Sequence, residues 1–419
     1  MFLILKNISS LVTCRGSYGK TKDEMKDTGI IANGYIVIEN EYIKEIGEGD
    51  GYLKYLNNEA VSIDCNGKTV TPGLIDCHTH IVYSGSREKE LKLKLNNKSY
   101  IDILKAGGGI LSTVRSTRNA SLEQLIKESE IRLNNMLLHG TTTIESKSGY
   151  GLNLKDEVKI LKVNKKLNDT HPIDIISTYL GAHAIPEEYK YNREKYIEEI
   201  INNHIPYIVD NNLAEYIDVF CERGVFTVEE SKRILEAGIS KGLKAKIHGD
   251  EIESIGGGEL AGELKATSAE HLVAISDKGI VSLCENNVIA VLLPSTSFYL
   301  MLNHYADARK MIDNGVKIAL STDCNPGTSP NESLQFTMTL ACYGMRLLPE
   351  EIINAVTINA ACAINREKEI GSIEVGKRAD ITVFNSNSLE YLIYHIGSNA
   401  VDKVIKNGKI VVESGKLKF

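Results

Sequence analysis

The chain has 419 residues, 42% of them hydrophobic and 25% charged, enough for a large core with a smaller satellite and ordinary for a water-soluble globular protein. A formal net charge of −7 argues against non-specific binding to nucleic acid or to an anionic membrane surface. The eight cysteines form no Cys-x-x-Cys pair, and no stretch approaches the ~20 apolar residues of a membrane span, so free thiols in a cytoplasmic protein are expected.

In chain order, Ile36 to Ile46 reads as two β segments around an Asn40-Glu41 turn. The middle alternates strands and helices, with strands ending near Cys77, Ser146, Leu180, Glu222, His248, His271, Pro294 and Asp323. Ser121-Leu-Glu-Gln124 has the capping-box pattern of a helix start. Ser329-Pro-Asn-Glu332 predicts another, with serine as cap and proline at the first helical position. Gly371 to Phe384 is strand-like again. Val404 to Val412 carries Asn407-Gly408 between β-branched residues, a strong hairpin signal. Eight β/α units predict a TIM-like (β/α)8 barrel over residues 71–370. The two β-rich ends, 1–70 and 371–419, are each too small to bury much surface alone. They predict one small β-sandwich domain built from both termini.

The strongest chemical signal is Thr71-Pro-Gly-Leu-Ile-Asp-Cys-His-Thr-His80. An apolar strand runs into His78-x-His80, and the period of two puts both imidazoles on one face, able to share a metal ion. Alone, His-x-His is a weak signal. Here His248, His271 and Asp323 also close predicted strands, at the barrel face where such enzymes place their chemistry. His139, His171, His204, His304 and His395 lack that placement and are expected to be structural or at the surface.

This pattern resembles the amidohydrolase superfamily, in which histidines follow strands one, five and six and an aspartate follows strand eight. The resemblance implies that His78, His80, His248 and Asp323 bind one divalent ion per subunit, Zn or Fe; the donor types suit either. Relatives with two metals bridge them through a lysine after strand four. Ile217-Asp-Val-Phe-Cys-Glu222 has no lysine, which favours one metal and leaves Glu222 as the residue to watch.

Within that superfamily, further motifs resemble the imidazolonepropionase family over most of the chain. They are Gly85-Ser-Arg-Glu88, Lys98-Ser-Tyr100, Gly107 to Gly109, Glu145-Ser-Lys-Ser-Gly-Tyr-Gly151, Thr178-Tyr-Leu-Gly-Ala-His183, Ile247-His-Gly-Asp-Glu251 and Ser321-Thr-Asp-Cys-Asn-Pro-Gly-Thr328. The implied activity is hydrolysis of 4-imidazolone-5-propanoate to N-formimidoyl-L-glutamate in histidine degradation, by attack of metal-activated water on the ring carbonyl. His271 would help to stabilise the oxyanion, and Asp323 or Glu251 would shuttle the proton. Arg87 offers a planar fork for the substrate carboxylate, although an arginine after a barrel loop is by base rate a surface residue. Tyr100, Tyr150, His183 and Glu251 would meet the ring. Asn325, Gly327 and Thr328 would line the mouth, or form the turn before the next helix.

Neither glycine run, Gly107–Gly109 or Gly256–Gly258, continues into Lys-Ser or Lys-Thr, so a phosphate loop is not supported. Flexibility or close approach to a ligand is expected instead. A homodimer is the expected assembly, twofold closure being commonest. The rivals are a deaminase of purine or pyrimidine rings, against which an essential Arg87 would tell, and an inactive barrel used as a scaffold, against which an intact ligand set tells.

Overall fold

The computed structural model describes residues 2–56, 60–96 and 108–419. The chain opens with β1 (Phe2–Val12), β2 (Ile30–Glu39), β3 (Tyr42–Glu48), β4 (Val61–Asp64) and β5 (Thr69–Pro72). β2 and β3 pair antiparallel across Asn40, which takes φ 58°, a left-handed turn conformation that asparagine tolerates. The middle contributes β6 (Leu74–Thr79), β7 (Thr141–Lys147), β8 (Asp174–Ala182), β9 (Tyr216–Cys221), β10 (Lys244–Gly249), β11 (Ser268–His271), β12 (Ile289–Leu292) and β13 (Ile318–Leu320). β14 (Ile381–Phe384), β15 (Val401–Lys406), β16 (Lys409–Glu413) and β17 (Lys416–Leu417) complete the chain. The hairpin at Asn407-Gly408 forms between β15 and β16, both turn residues having the positive φ, 48° and 72°, of a primed turn.

β6 to β13 make one eight-stranded sheet in sequence order, each strand parallel to the next. The sheet closes into a barrel where the first and last strands meet. Thr79 bridges Cys324, the His80 amide donates to the Cys324 carbonyl at 2.9 Å, and the Asp323 amide donates to the His78 carbonyl at 3.2 Å. The buried Asp76 carboxylate stitches the same seam, accepting from the Thr322 amide at 2.9 Å, the Thr322 hydroxyl at 2.6 Å and the Ser321 hydroxyl. Burial pushes the Asp76 carboxyl up to about 6, against these hydrogen bonds.

The other sheet has nine strands, in the order β17-β16-β15-β14-β5-β1-β2-β3, with β4 pairing β1. Both ends of the chain therefore build it, joined where Val70 of β5 faces Val383 of β14. Leu5, Ile36, Val70, Ile381, Val383 and Ile405 are among the residues of its own apolar core. It is tied to the barrel at the N-terminal ends of barrel strands. Lys406 lies 2.8 Å from Asp174, the first residue of β8, and Thr382 donates to the carbonyl of Gly140, just before β7, at 3.0 Å.

Local signals account for the helices around the barrel, with three departures from expectation. Thr227 and Glu230 form a full capping box on Val228–Ser240. Ser121 caps Leu122–Leu138, but the Gln124 side chain turns instead to Ser84 and Glu128, so that box is only half made. The helix expected after Ser329 starts later, at Leu334, with Ser333 as its cap. Ser329 instead donates to the Thr322 carbonyl at 2.6 Å, which holds it in the turn that follows β13. Of the strand-like stretch from Gly371, only Ile381–Phe384 is a strand; Gly371 and Gly376, at φ 86° and 90°, turn the chain before it. Among the described residues, no helix is long and apolar enough to cross a membrane.

Candidate metal centre

At the C-terminal mouth of the barrel, side chains from four strand ends meet. His78 stands on β6 and His80 just beyond it, His248 on β10, His271 at the end of β11, and Asp323 in the loop after β13. All five are buried. Asp323 Oδ1 lies 3.4 Å from His78 Nε2 and 3.6 Å from His80 Nε2, and His80 Nε2 lies 3.4 Å from His248 Nε2. Donors bonded at ~2.0–2.2 Å to one tetrahedral ion stand roughly 3.3–3.6 Å apart. These three separations fall in that range, as the donors of one divalent ion require. His271 belongs to the same group, with a ligand-type atom within 4.8 Å of one on His78 and one on His248.

The histidines are oriented from behind. His78 Nδ1 lies 2.7 Å from Glu270 and His248 Nδ1 lies 2.7 Å from Asp218, the carboxylate–histidine arrangement that turns Nε2 toward a metal. Burial works against protonation of His78, but Glu270 and Asp323 outweigh it and hold the ring up at about 9. Burial and the neighbouring His183, His78 and His248 push His80 well below the usual imidazole range. Burial also takes His271 down to about 3. Asp323 is the reverse case: burial disfavours its charge, yet His78, His271 and a 2.5 Å hydrogen bond from Thr296 hold it down at about 2. Burial, with the charges of Asp323 and Glu222 adding to it, pushes Glu251 up to about 8. Glu251 lies 3.7 Å from His271 Nδ1.

Around this centre the other expected site residues take distinct places. His183 stacks on His80 with ring centroids 5.1 Å apart, and its Nδ1 donates to the Gly149 carbonyl at 3.2 Å. Tyr150 is buried with its ring 5.8 Å from that of His80. Glu157 holds the loop that carries it, accepting from the amides of Gly149, Gly151 and Leu152 at 2.9, 2.7 and 2.7 Å. Arg87 does present a fork, but it grips Glu90, with two bonds of 2.9 Å. Gly327 lies against the other side of the guanidinium, where an added Cβ would fall 1.9 Å from Nη1. Asn325 organises the turn itself: its Oδ1 accepts from the amides of Gly327 and Thr328 at 2.9 and 2.8 Å, and its amide donates to the Asp323 carbonyl at 2.7 Å and to Thr328 Oγ1 at 3.0 Å. Tyr100, with Lys98 and Gly107, lies outside the described residues.

Glu222 is absent from the metal-type clusters among the described residues. Its carboxylate accepts from the amides of Glu251 at 3.1 Å and Ile252 at 2.9 Å, so it shapes the loop that carries Glu251. The second glycine run receives an anion from its own chain: Asp250 accepts from the amides of Ile255, Gly256, Gly257 and Gly258. Sequence reasoning passed over Lys147, Asp218 and Glu270. Their signal was a charged residue inside an apolar strand, which must find a partner if the strand is buried.

The amidohydrolase family model matches residues 175–411. The imidazolonepropionase of Alkaliphilus metalliredigens (strain QYMF) is 51% identical over 418 residues, covering 99% of this chain and 99% of its own. That of Alkaliphilus oremlandii (strain OhILAs) is 53% identical over 416 residues, with 99% and 98% covered. Among solved structures, E. coli guanine deaminase shares the fold, with a TM-score of 0.75 at 16% identity over 99% of both chains.

Proposed function

The chain belongs to the imidazolonepropionases of the amidohydrolase family, and from that premise we propose that it hydrolyses 4-imidazolone-5-propanoate to N-formimidoyl-L-glutamate, a step of histidine degradation. The cluster of His78, His80, His248 and Asp323, with three of its donor separations at 3.4, 3.6 and 3.4 Å, carries the reading. We assign these residues as the ligands of one divalent ion, zinc or iron, within a catalytic barrel spanning residues 71–370. A homodimer working in the cytoplasm completes the proposal. When bound, such an ion lowers the pKa of water from ~15.7 toward ~7 and polarises a carbonyl.

The protein's own groups then divide the proton work. Asp323, ionised and facing the histidines, accepts the proton of the attacking water. His271 is neutral at physiological pH, so its role is to donate a hydrogen bond to the carbonyl oxygen as charge develops there. Glu251 carries a proton at pH 7 and supplies it to the departing ring nitrogen. The new C–O bond replaces the ring C–N bond, and the proton taken by Asp323 restores Glu251. Arg87, kept in place by Glu90 and Gly327, binds the propionate carboxylate. Tyr150, Tyr100 and His183 flank the ring, and Asn325 and Thr328 hold the loop of Asp323.

The test follows the ultraviolet absorbance of freshly generated imidazolone propanoate, before and after chelation and metal add-back. Metal-dependent consumption yielding N-formimidoyl-glutamate is expected, together with loss of turnover in Asp323→Asn. Turnover at the unmodified rate in that variant would remove Asp323 from its role. A metal-loaded protein without turnover would move the substrate elsewhere, with ring deamination next to assay.

A further inference from the structure

Behind the ligand-type atoms lies a network of charged side chains in the barrel interior, fully shielded from solvent. Glu145 and Lys147 stand on β7, Asp218 on β9, Lys246 on β10 and Glu270 on β11. Charges so placed are costly unless each is paired. Lys147 Nζ lies 2.8 Å from Glu145 Oε1, 2.9 Å from Asp218 Oδ2 and 2.8 Å from Glu270 Oε2. The same Asp218 Oδ2 and Glu270 Oε2 are the atoms that meet Nδ1 of His248 and of His78, at 2.7 Å each. One ammonium thus touches both oxygens that orient two of the proposed metal ligands. Lys246 serves the far side of the network, 3.3 Å from the other Glu270 oxygen and 3.1 Å from Ser268.

We infer that Lys147 is a positioning residue for the metal centre: its ammonium ties Asp218 Oδ2 to Glu270 Oε2 and holds both aimed at Nδ1 of His248 and His78, so that both rings turn Nε2 toward the ion. The inference rests on the metal-dependent reading above. Asp218, His248 and Glu270 have ligand-type atoms all within 4.8 Å of one another. Two carboxylates that close repel each other unless a cation lies between them, and without it they swing apart and leave Nδ1–H without its acceptor. Each ring is then free to turn its Nε2 away from the ion. A lysine suits the position because its three N–H donors match three carboxylate oxygens.

The test is zinc affinity, measured on metal-free protein by competition with a chromophoric chelator across pH 6–9. Lys147→Met should weaken zinc binding by about 10- to 100-fold, the usual effect of losing such a supporting group. Asp218→Asn should produce a similar loss, and Lys147→Met/Asp218→Asn a loss no greater than the larger single effect, because lysine acts through the carboxylate. Lys246→Met, an equal loss of buried charge, should change affinity less than Lys147→Met. Unaltered affinity in Lys147→Met, or full additivity in the double variant, would overturn the assignment. If Lys147→Met does not fold, Asp218→Asn decides alone, and unaltered zinc affinity there overturns it. The absence of zinc uptake by the unmodified protein would instead overturn the metal-dependent reading and this inference with it.

Discussion

His271 and Asp323 hold φ values of 72° and 53°, a left-handed conformation that residues with a Cβ adopt at a cost of ~1–3 kcal/mol. Both strained residues lie at the mouth of the barrel, within the metal-type clusters, so the strain sits where the donor side chains are held. His271→Ala should be less stable than His271→Gly by about 1 kcal/mol in urea melts of metal-free protein, because only glycine relieves the backbone. Equal stabilities would show that the loop relaxes around either residue. The ligand-type residues were legible in the sequence because each interrupts or ends an apolar run. The grip of Glu90 on Arg87 was not, because three residues of separation say nothing about which way a guanidinium turns once a glycine lies beneath it. Lys147 was missed although it lies in a quoted motif, since its meaning depends on carboxylates from two other strands.

Single elements show the same division between local and distant causes. Hairpins at Asn40-Glu41 and Asn407-Gly408 were legible because turn chemistry is local. The helix expected at Ser329 starts at Leu334 because Asn325 and Ser329 are engaged in a turn whose partners, Asp323 and Thr322, precede them. A cap motif loses to a tighter competitor that a short window does not weigh. Ser333 is the working cap, its hydroxyl accepting from the Phe336 amide. Ser333→Ala should cost about 1 kcal/mol in thermal or urea denaturation, and a change near zero would contradict its capping role. The glycine run at Gly256–Gly258 suggests flexibility or close approach to a ligand; in the structure the carboxylate of Asp250 occupies those amides, a contact set by the turn after β10.

Across the whole molecule, the composite sheet meets the barrel through Asp174 and Gly140, at the end of the strands opposite the metal-type cluster. Its part is therefore to hold the scaffold. A chain ending at residue 370 lacks β14 to β17 and bares the edge of β5, together with the apolar faces of Leu5, Ile36 and Val70. Such a chain should aggregate, as light scattering and size exclusion would show; a monodisperse product with a cooperative melt would contradict the dependence. The pairing of Val70 with Val383 also bears on how the molecule is made. During translation β5 leaves the ribosome long before its neighbour exists, and the whole barrel is synthesised in between. β5 is thus completed only after the barrel, and a nascent chain must shelter that open edge until β14 has emerged.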